Sequence, residues 1–232
     1  SSRGLGDVYK RQHQWVTEAG QWKHAVQSYL ASVTFADHCL GMVLDALEKS
    51  EYADNTIIAL FSDHGFHLGE KERWAKRSLW EDGTRVPIIL SAPEFKRNQI
   101  SDRPSELLDL FPTLLELAGL PKDSTQEGQS LVPLMKNPDK EWPHPAITSF
   151  GLGNYSVRST RYRFIQYFDG SRELYDLSKD PHEWKNLADD PKNKSLIEQH
   201  LAHLPKKQQP ILPGNSTGHA AYGAANANIQ NQ

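Results

Sequence analysis

Thr56-Ile-Ile-Ala-Leu-Phe-Ser-Asp-His-Gly65 is the stretch of sequence that decides the fold of this chain. Its five consecutive apolar residues, Ile57 to Phe61, form a run too short for a helix and typical of a strand buried on both faces of a parallel sheet. The run ends in Ser62-Asp63-His64-Gly65, where the glycine allows the chain to turn. Because ligands of open α/β sheets bind at the carboxyl ends of strands, we look for a functional site directly after Phe61.

The segments around this strand alternate between helix and strand patterns. Apolar residues recur at helical spacing from His24 to Lys49, which predicts a long helix with one face on a core. The apolar run from Val86 to Ala92 predicts a second strand. Residues 105–117 predict another helix, which Gly119 and Pro121 should end. This order predicts an α/β domain with a mostly parallel sheet flanked by helices.

The character of the sequence changes after Pro121. A proline-rich loop follows, and then the pattern favours three strands over residues 155–158, 162–168 and 173–177, with Asp169-Gly170 as a hairpin turn. A short helix is predicted from Lys194 to Leu204. The sequence therefore predicts four segments. Residues 1–12 read like translated adapter DNA and are expected to be an artefact outside the fold, and residues 13–145 form the α/β domain. Residues 146–205 form a small subdomain with an antiparallel sheet plus a helix, and residues 206–232 form a disordered tail.

Composition excludes several classes of protein. The 232 residues are 38% hydrophobic and 24% charged, with a formal charge of −3, which gives no electrostatic reason to expect a nucleic-acid partner. No uninterrupted apolar stretch is expected to approach the roughly 20 residues of a membrane helix, so the sequence predicts no membrane span. Cys39 is the single cysteine, so the chain cannot form an internal disulfide.

Asp63 and His64 offer an oxygen and a nitrogen ligand at adjacent positions. Two donors do not complete a metal site, because Ca²⁺ takes about six to eight oxygens and Zn²⁺ about four donors. From these two residues alone, a polar turn that caps a strand is the simpler interpretation. Lys76 follows in the same loop, where an ammonium near a metal would suit a sulfate or phosphate, or would be one of several solvated cations.

Further motifs follow in a fixed order, and together they resemble the sulfatase family of the alkaline-phosphatase-like superfamily. The resemblance is to the second half of the catalytic domain, in particular of iduronate-2-sulfatase-like bacterial enzymes, and covers about residues 24–205. The motifs that carry it are Ser62-Asp-His-Gly, Leu68-Gly-Glu, Trp74-x-Lys, Thr84-Arg-Val-Pro-Ile-Ile, Asp109-Leu-Phe-Pro-Thr, Gly128-Gln-Ser-Leu, Val157-Arg-Ser-Thr-Arg-Tyr, Glu173-Leu-Tyr-Asp-Leu and Asp180-Pro-His-Glu-Trp.

The resemblance implies a role for each candidate site residue. Asp63 and His64 would be metal ligands of a Ca²⁺ site, and Lys76 would contact the sulfate of the substrate and act in catalysis. Four further residues would bind substrate, two in the same loop and two in the C-terminal subdomain: His67, Trp74, Asn154 and Arg158. The partner implied is a sulfated saccharide or another sulfate ester, as in glycan degradation.

The nucleophile of the family is not found in this sequence. Sulfatases use formylglycine, made from Cys or Ser in a Cys/Ser-x-Pro-x-Arg motif. Cys39 is followed by Leu-Gly-Met-Val, and Ser91-Ala-Pro-Glu-Phe has Phe95 in place of the arginine. We therefore expect a fragment of a sulfuric ester hydrolase, inactive alone, with formylglycine in a missing N-terminal half.

Two other functions remain open from the sequence. The same superfamily contains phosphate and phosphonate monoester hydrolases, which share the metal geometry. A module that binds sulfated sugar without cleaving it is the non-enzymatic alternative. For the full-length parent, the resemblance implies a periplasmic or secreted location.

Overall fold

The structure is a computed structural model that describes residues 3–207, so residues 208–232 of the predicted tail lie outside the described part. The chain forms two compact units, which divide between Trp142 and Pro143. The predicted boundary lies between residues 145 and 146. Each unit is described by itself below.

The N-terminal unit begins with two helices. Helix α1 spans Arg3–Glu18 and helix α2 spans Trp22–Glu48, with Gly20 between them at a φ of +64°. The long predicted helix is therefore confirmed. Residues 1–12 were expected to lie outside the fold, but the chain is helical from Arg3 onward, and whether these residues are foreign to the protein stays a prediction.

Helix α2 is largely exposed within the described part of the chain. None of its residues is buried, although an apolar face on a core was expected. Its exposed large apolar residues are Trp22, Tyr29, Leu30, Val33, Phe35, Met42, Val43 and Leu44. By length and composition α2 could cross a membrane, contrary to the expectation that no stretch approaches that length. Since core helices and signal sequences pass the same test, the absence of a membrane span stays a prediction.

The strand that decides the fold forms, but it is not buried on both faces as expected, since Phe61 is half-exposed in the described part of the chain, and its partner runs antiparallel. Strand β1 spans Ile58–Phe61 and pairs antiparallel with β2, Ile88–Ser91, so that Phe61 faces Ile88 across the pair. No parallel pair occurs among residues 3–207. An apolar run indicates that both faces of a strand are to be covered, but it does not encode the direction of the neighbouring strand. The antiparallel register places the end of β1 beside the start of β2.

The other α-helices of this unit are short. Helix α3 spans Glu81–Thr84, helix α4 spans Leu110–Leu117 after a 3₁₀ turn, and helix α5 spans Val132–Lys136. Two of them, α3 and α5, were not predicted from the sequence. Helix α5 lies in the stretch expected to be a proline-rich loop. The residues that end α4 act as predicted, because Gly119 takes a φ of +66° and its N–H donates to the carbonyl of Glu116.

The C-terminal unit is a four-stranded antiparallel meander followed by a helix. Its strands are β3 (Ala146–Ser149), β4 (Tyr155–Arg158), β5 (Tyr162–Gln166) and β6 (Arg172–Asp176), paired in that order, and its helix α6 spans Lys194–Leu201. The small antiparallel sheet plus helix is therefore confirmed, with β3 as an added strand. Its core is formed by Val157, Phe164, Leu174 and Ile197.

Candidate functional site

The candidate site is carried by residues 63–85, which we call the site loop and which join β1 to β2. The loop folds back on itself, so that its first half lies against its second half. Three backbone hydrogen bonds hold this return, from Gly65 to the carbonyl of Gly83 (3.1 Å), from His67 to that of Ala75 (3.1 Å) and from Gly69 to that of Arg73 (2.8 Å).

Gly65 is required by the close approach of the two halves. A Cβ atom on Gly65 would lie 2.1 Å from the carbonyl oxygen of Asp82 and 3.0 Å from that of Arg85. Both contacts are to backbone atoms, which cannot rotate away as a side chain can. The glycine therefore allows the close return of the loop beside Asp63 and His64.

Replacing Gly65 by Ala should lower the free energy of unfolding by about 1–3 kcal/mol, because the backbone near Asp82 must move to admit the methyl group. Urea denaturation of both proteins would measure the difference. Gly41→Ala is the matched control, since a Cβ there meets nothing within 4 Å. Gly41 lies inside helix α2, so the control should gain roughly 0.5–1 kcal/mol. Equal stability of Gly65→Ala and the parent would contradict the close approach.

Asp63, His64 and Lys76 converge at the exposed edge of the loop. The Nζ atom of Lys76 lies 2.7 Å from Nε2 of His64, and Oδ1 of Asp63 lies 3.5 Å from the same nitrogen. On its other side, Nδ1 of His64 lies 2.8 Å from the carbonyl oxygen of Gly65. A carbonyl only accepts, so Nδ1 carries the proton and Nε2 presents its lone pair to Lys76. The structure thus brings together the three residues predicted to hold a metal and an anion.

The donor set fits part of a divalent metal site. A neutral imidazole with its Nδ1–H held by a backbone carbonyl is the form in which histidine binds metals through Nε2. The carboxylate of Asp63 is mostly exposed and lies beside that nitrogen. Two donors leave the site incomplete, as expected from the sequence. Nε2 can serve the ammonium of Lys76 or a metal ion, but not both at once.

His67 is fully buried beneath this edge. Its Nε2 lies 2.6 Å from Oγ of Ser78, and its Nδ1 lies 3.8 Å from Oδ2 of Asp82. Burial, with a further contribution from the positive charge of Arg73, lowers the pKa of His67 from 6.5 to about 4. His67 is therefore neutral at physiological pH and is placed within the loop rather than on its surface.

This lowered pKa predicts loss of stability in acid. Unfolding returns the pKa of His67 to about 6.5, so the unfolded state binds the proton more strongly between pH 6.5 and 4. The contribution is complete above pH 6.5 and should fall by about 2 kcal/mol between pH 7 and 5. Urea denaturation in EDTA at both pH values measures it. His67→Gln is the control, and an equal loss in that variant would assign the effect to other groups.

The other predicted substrate-binding residues are hydrogen-bonded to other groups of the protein. Trp74 is buried, packs edge-on against Trp22 and donates from Nε1 to Nδ1 of His13 at 3.2 Å. In the C-terminal unit, the Asn154 amide bridges the turns at either side, and a guanidinium N–H of Arg158 donates to the carbonyl of the next residue. Binding of substrate by Trp74, Asn154 and Arg158 stays a prediction.

Sequence reasoning missed the carboxylates around His67. One ring nitrogen of His67 and one carboxylate oxygen each of Glu70 and Asp82 all lie within 4.8 Å of one another. The spacing His-x-x-Glu was a usable signal, since such residues can meet within one turn of chain. Asp82 gave no signal, because only the return of the loop brings it to His67.

Two family profiles match the chain. The profile described as N-sulphoglucosamine sulphohydrolase, C-terminal, matches residues 69–210, and the profile described as Sulfatase matches residues 6–120. Between them they cover both units.

Curated relatives carry sulfatase names. A protein of Formosa agariphila named Sulfatase is 47% identical over 83% of this chain and 38% of its own length. The Delta 4,5-hexuronate-2-O-sulfatase of Bacteroides thetaiotaomicron is 31% identical over 83% of this chain and 44% of its own length. The chain therefore spans less than half the length of these relatives.

Solved structures share the fold. A structure in complex with its substrate D-glucosamine-2-N,6-O-disulfate superposes with a TM-score of 0.69 at 29% identity, over 78% of this chain and 42% of that one. The phosphonate monoester hydrolase of Agrobacterium radiobacter has a TM-score of 0.64 at 25% identity, over 72% and 37%. From the family profiles and these relatives, the chain belongs to the sulfatase family and has the alkaline-phosphatase-like fold of its neighbours.

Proposed function

We propose that this chain supplies part of the active site of a sulfuric ester hydrolase that acts on sulfated saccharides. The observation that carries the proposal is the convergence of Asp63 Oδ1 and Lys76 Nζ on Nε2 of His64, at 3.5 Å and 2.7 Å. A carboxylate, a neutral imidazole and an ammonium on one exposed edge can hold a cation and an anion side by side. The names of the relatives, which include a hexuronate-2-O-sulfatase and a structure bound to a disulfated glucosamine, support a sulfated saccharide as the anion.

Each residue of this edge has a separate role in the proposal. Asp63 and His64 would hold a divalent metal, Ca²⁺ in this family, together with ligands from outside this chain. When bound, the metal would neutralise charge on the sulfate oxygens. Lys76 would contact the sulfate oxygens and stabilise the charge that grows on them as the S–O bond breaks. The carbonyl of Gly65 keeps the imidazole of His64 in the tautomer that this arrangement needs.

The nucleophile is the component that the proposal places outside these 232 residues. No Cys/Ser-x-Pro-x-Arg motif occurs in them, so formylglycine would come from another segment of the working enzyme. We therefore propose that the 232-residue chain by itself does not turn over a sulfate ester. The sugar, the position of its sulfate and a periplasmic or secreted location stay predictions.

A chimeric enzyme tests the proposal. Residues 13–205 of this chain would replace the aligned segment of the Formosa agariphila sulfatase, whose remaining sequence would complete the active site. We expect the chimera to release a chromophore from an aryl sulfate, and the isolated chain to release none. A chimera that melts cooperatively and binds Ca²⁺ but hydrolyses no aryl sulfate would overturn the proposal.

Phosphonate ester hydrolysis is the second candidate, favoured by the structural likeness to the Agrobacterium radiobacter enzyme. The same chimera decides between the two when it is offered an aryl phosphonate monoester beside the aryl sulfate. Preference for the phosphonate would assign this loop to the second class. Binding of a sulfated oligosaccharide without turnover of either ester would favour the sugar-binding module.

A further inference from the structure

A second group of potential metal ligands lies inside the site loop, beneath the exposed edge. It consists of His67, Glu70 and Asp82, which we call the inner cluster. One donor atom from each lies within 4.8 Å of the other two, with His67 fully buried and the carboxylates partly buried. None of the three contributes to the Asp63–His64–Lys76 edge.

The buried imidazole faces the inner cluster with an unsatisfied nitrogen. Nδ1 of His67 has no hydrogen-bond partner among the residues that the structure describes, and Oδ2 of Asp82 lies 3.8 Å from it. This distance is too long for a hydrogen bond. A buried polar atom without a partner is costly and points to a group that completes it.

The tautomer of His67 follows from its second nitrogen. Nε2 lies 2.6 Å from Oγ of Ser78 and can donate its proton there, which leaves the lone pair of Nδ1 directed toward the carboxylate of Asp82. A lone pair facing a carboxylate is unfavourable unless a cation lies between them. The lowered pKa of His67 agrees with this, because its ring does not supply that cation itself at neutral pH.

We propose that His67, Glu70 and Asp82 bind a divalent metal of the zinc class, at a site separate from Asp63 and His64. One imidazole nitrogen and two carboxylate oxygens match the ligands that Zn²⁺ takes in proteins, histidine nitrogen and aspartate or glutamate oxygen. Three protein ligands leave a fourth position for water. An ion about 2.0–2.2 Å from each donor requires the three donor atoms to lie closer together than 4.8 Å. Rotation of the two carboxylate side chains can supply this movement.

Two nearby cations oppose the site and limit its affinity. Lys71 and Arg73 lie over the ring of Trp80, at 5.0 Å and 5.1 Å from its centroid, and both lower the pKa of His67. The two carboxylates of the inner cluster offset these charges. We therefore expect binding weaker than in a closed structural zinc site. A bound ion would connect residue 67 to residue 82 and hold the segment that carries Lys76 between them.

Zinc titration of the 232-residue chain, first stripped with EDTA, tests the inner cluster. All variants carry Asp63→Asn and His64→Gln, which remove the two candidate metal ligands of the exposed edge. This double variant is called the background. Calorimetry should show one Zn²⁺ bound in this background, and Glu70→Gln or Asp82→Asn should each weaken it by about 10–100-fold. Glu72→Gln, at an exposed carboxylate of the same loop, is the matched control and should bind as the background does.

The outcomes separate this site from the proposed function. Loss of Zn²⁺ binding in both inner variants, with retention in Glu72→Gln, supports the inner cluster whatever the chimera shows. Failure of the background to bind Zn²⁺, or unchanged binding in both inner variants, overturns the zinc proposal. Neither result bears on the proposed roles of Asp63, His64 and Lys76. Thermal melts in EDTA identify any variant that does not fold, and the two inner variants are independent of each other.

Discussion

Replacing Glu183 by Ala should lower the free energy of unfolding of the C-terminal unit by about 3–5 kcal/mol. Glu183 and Arg163 form an ion pair in which Oε1 lies 2.7 Å from Nε, and their side chains are 2% and 3% exposed. The pair is close but lacks the alignment of a hydrogen bond at these two atoms. Removing the carboxylate takes its negative charge away from the buried guanidinium of Arg163, at a place that water does not reach.

The guanidinium of Arg163 is held in place by the surrounding sheet and cannot turn toward solvent without breaking contacts. Arg163 lies in the central part of β5, and one of its N–H groups donates to Oγ of Ser156 on β4 at 2.5 Å. Glu183 reaches it from the loop after β6, at a left-handed φ of +58°. Because Ala would occupy the same backbone conformation, backbone strain is common to both proteins, and the difference reports mainly the lost charge.

Urea denaturation gives the free energy, and hydrogen exchange at the amides of β4 and β5 shows that the loss belongs to this unit. Glu198→Ala, at an exposed position of α6, should change stability by no more than about 0.5 kcal/mol. Replacing both partners together, Arg163→Met with Glu183→Leu, should cost less than Glu183→Ala alone, because no buried charge remains. A single variant as stable as the parent would show that Arg163 finds another partner or water.

Periodic segments were the most predictable part of this fold. The helical stripe of α2 and the apolar run of β1 are long or pure enough that local pattern decides the element. The Asp169-Gly170 turn fixed the β5–β6 hairpin, since Gly170 takes the left-handed φ of +83° that this turn requires. Helix α5 was missed although Pro133 stands in its first turn, a position that proline favours.

What covers each element was not predictable from local pattern. The apolar stripe of α2 predicted a core contact, yet none of its residues is buried in the described chain. An amphipathic pattern indicates that one face of a helix packs against something, but it does not identify the segment that covers this face. The chain spans 38% of the Formosa relative, so most of that protein lies outside the aligned segment.

The site was predictable to the extent that its residues are adjacent in sequence. Asp63 and His64 stand next to each other after β1, and the family motif added Lys76. The sequence does not show that the loop folds back on itself. The contact of Lys76 with His64 and the approach of Asp82 to His67 therefore became known only from the structure. The pKa of His67 could not be predicted for the same reason, because its main cause is burial.

Replacing Lys76 by Ala in the chimeric enzyme should reduce kcat/KM for an aryl sulfate by about 10²–10³-fold. The ammonium lies 2.7 Å from the imidazole of His64 at the edge where the sulfate is proposed to bind. It is one of the groups available to stabilise charge on the sulfate oxygens during S–O cleavage. Steady-state kinetics on the purified chimera and its variants would measure the change.

The division between kcat and KM identifies what Lys76 does. Charge stabilisation in the transition state lowers kcat, whereas a contact of equal strength in the bound substrate and the transition state raises KM alone. Lys76→Arg retains the charge on a planar group with different geometry, so it should recover only part of the activity. Lys96→Ala removes an exposed cation outside the site loop and should leave both constants unchanged. Equal activity of Lys76→Ala and the chimera would show that this ammonium has no part in hydrolysis, and the role of the Lys76–His64 contact would then be to hold the loop.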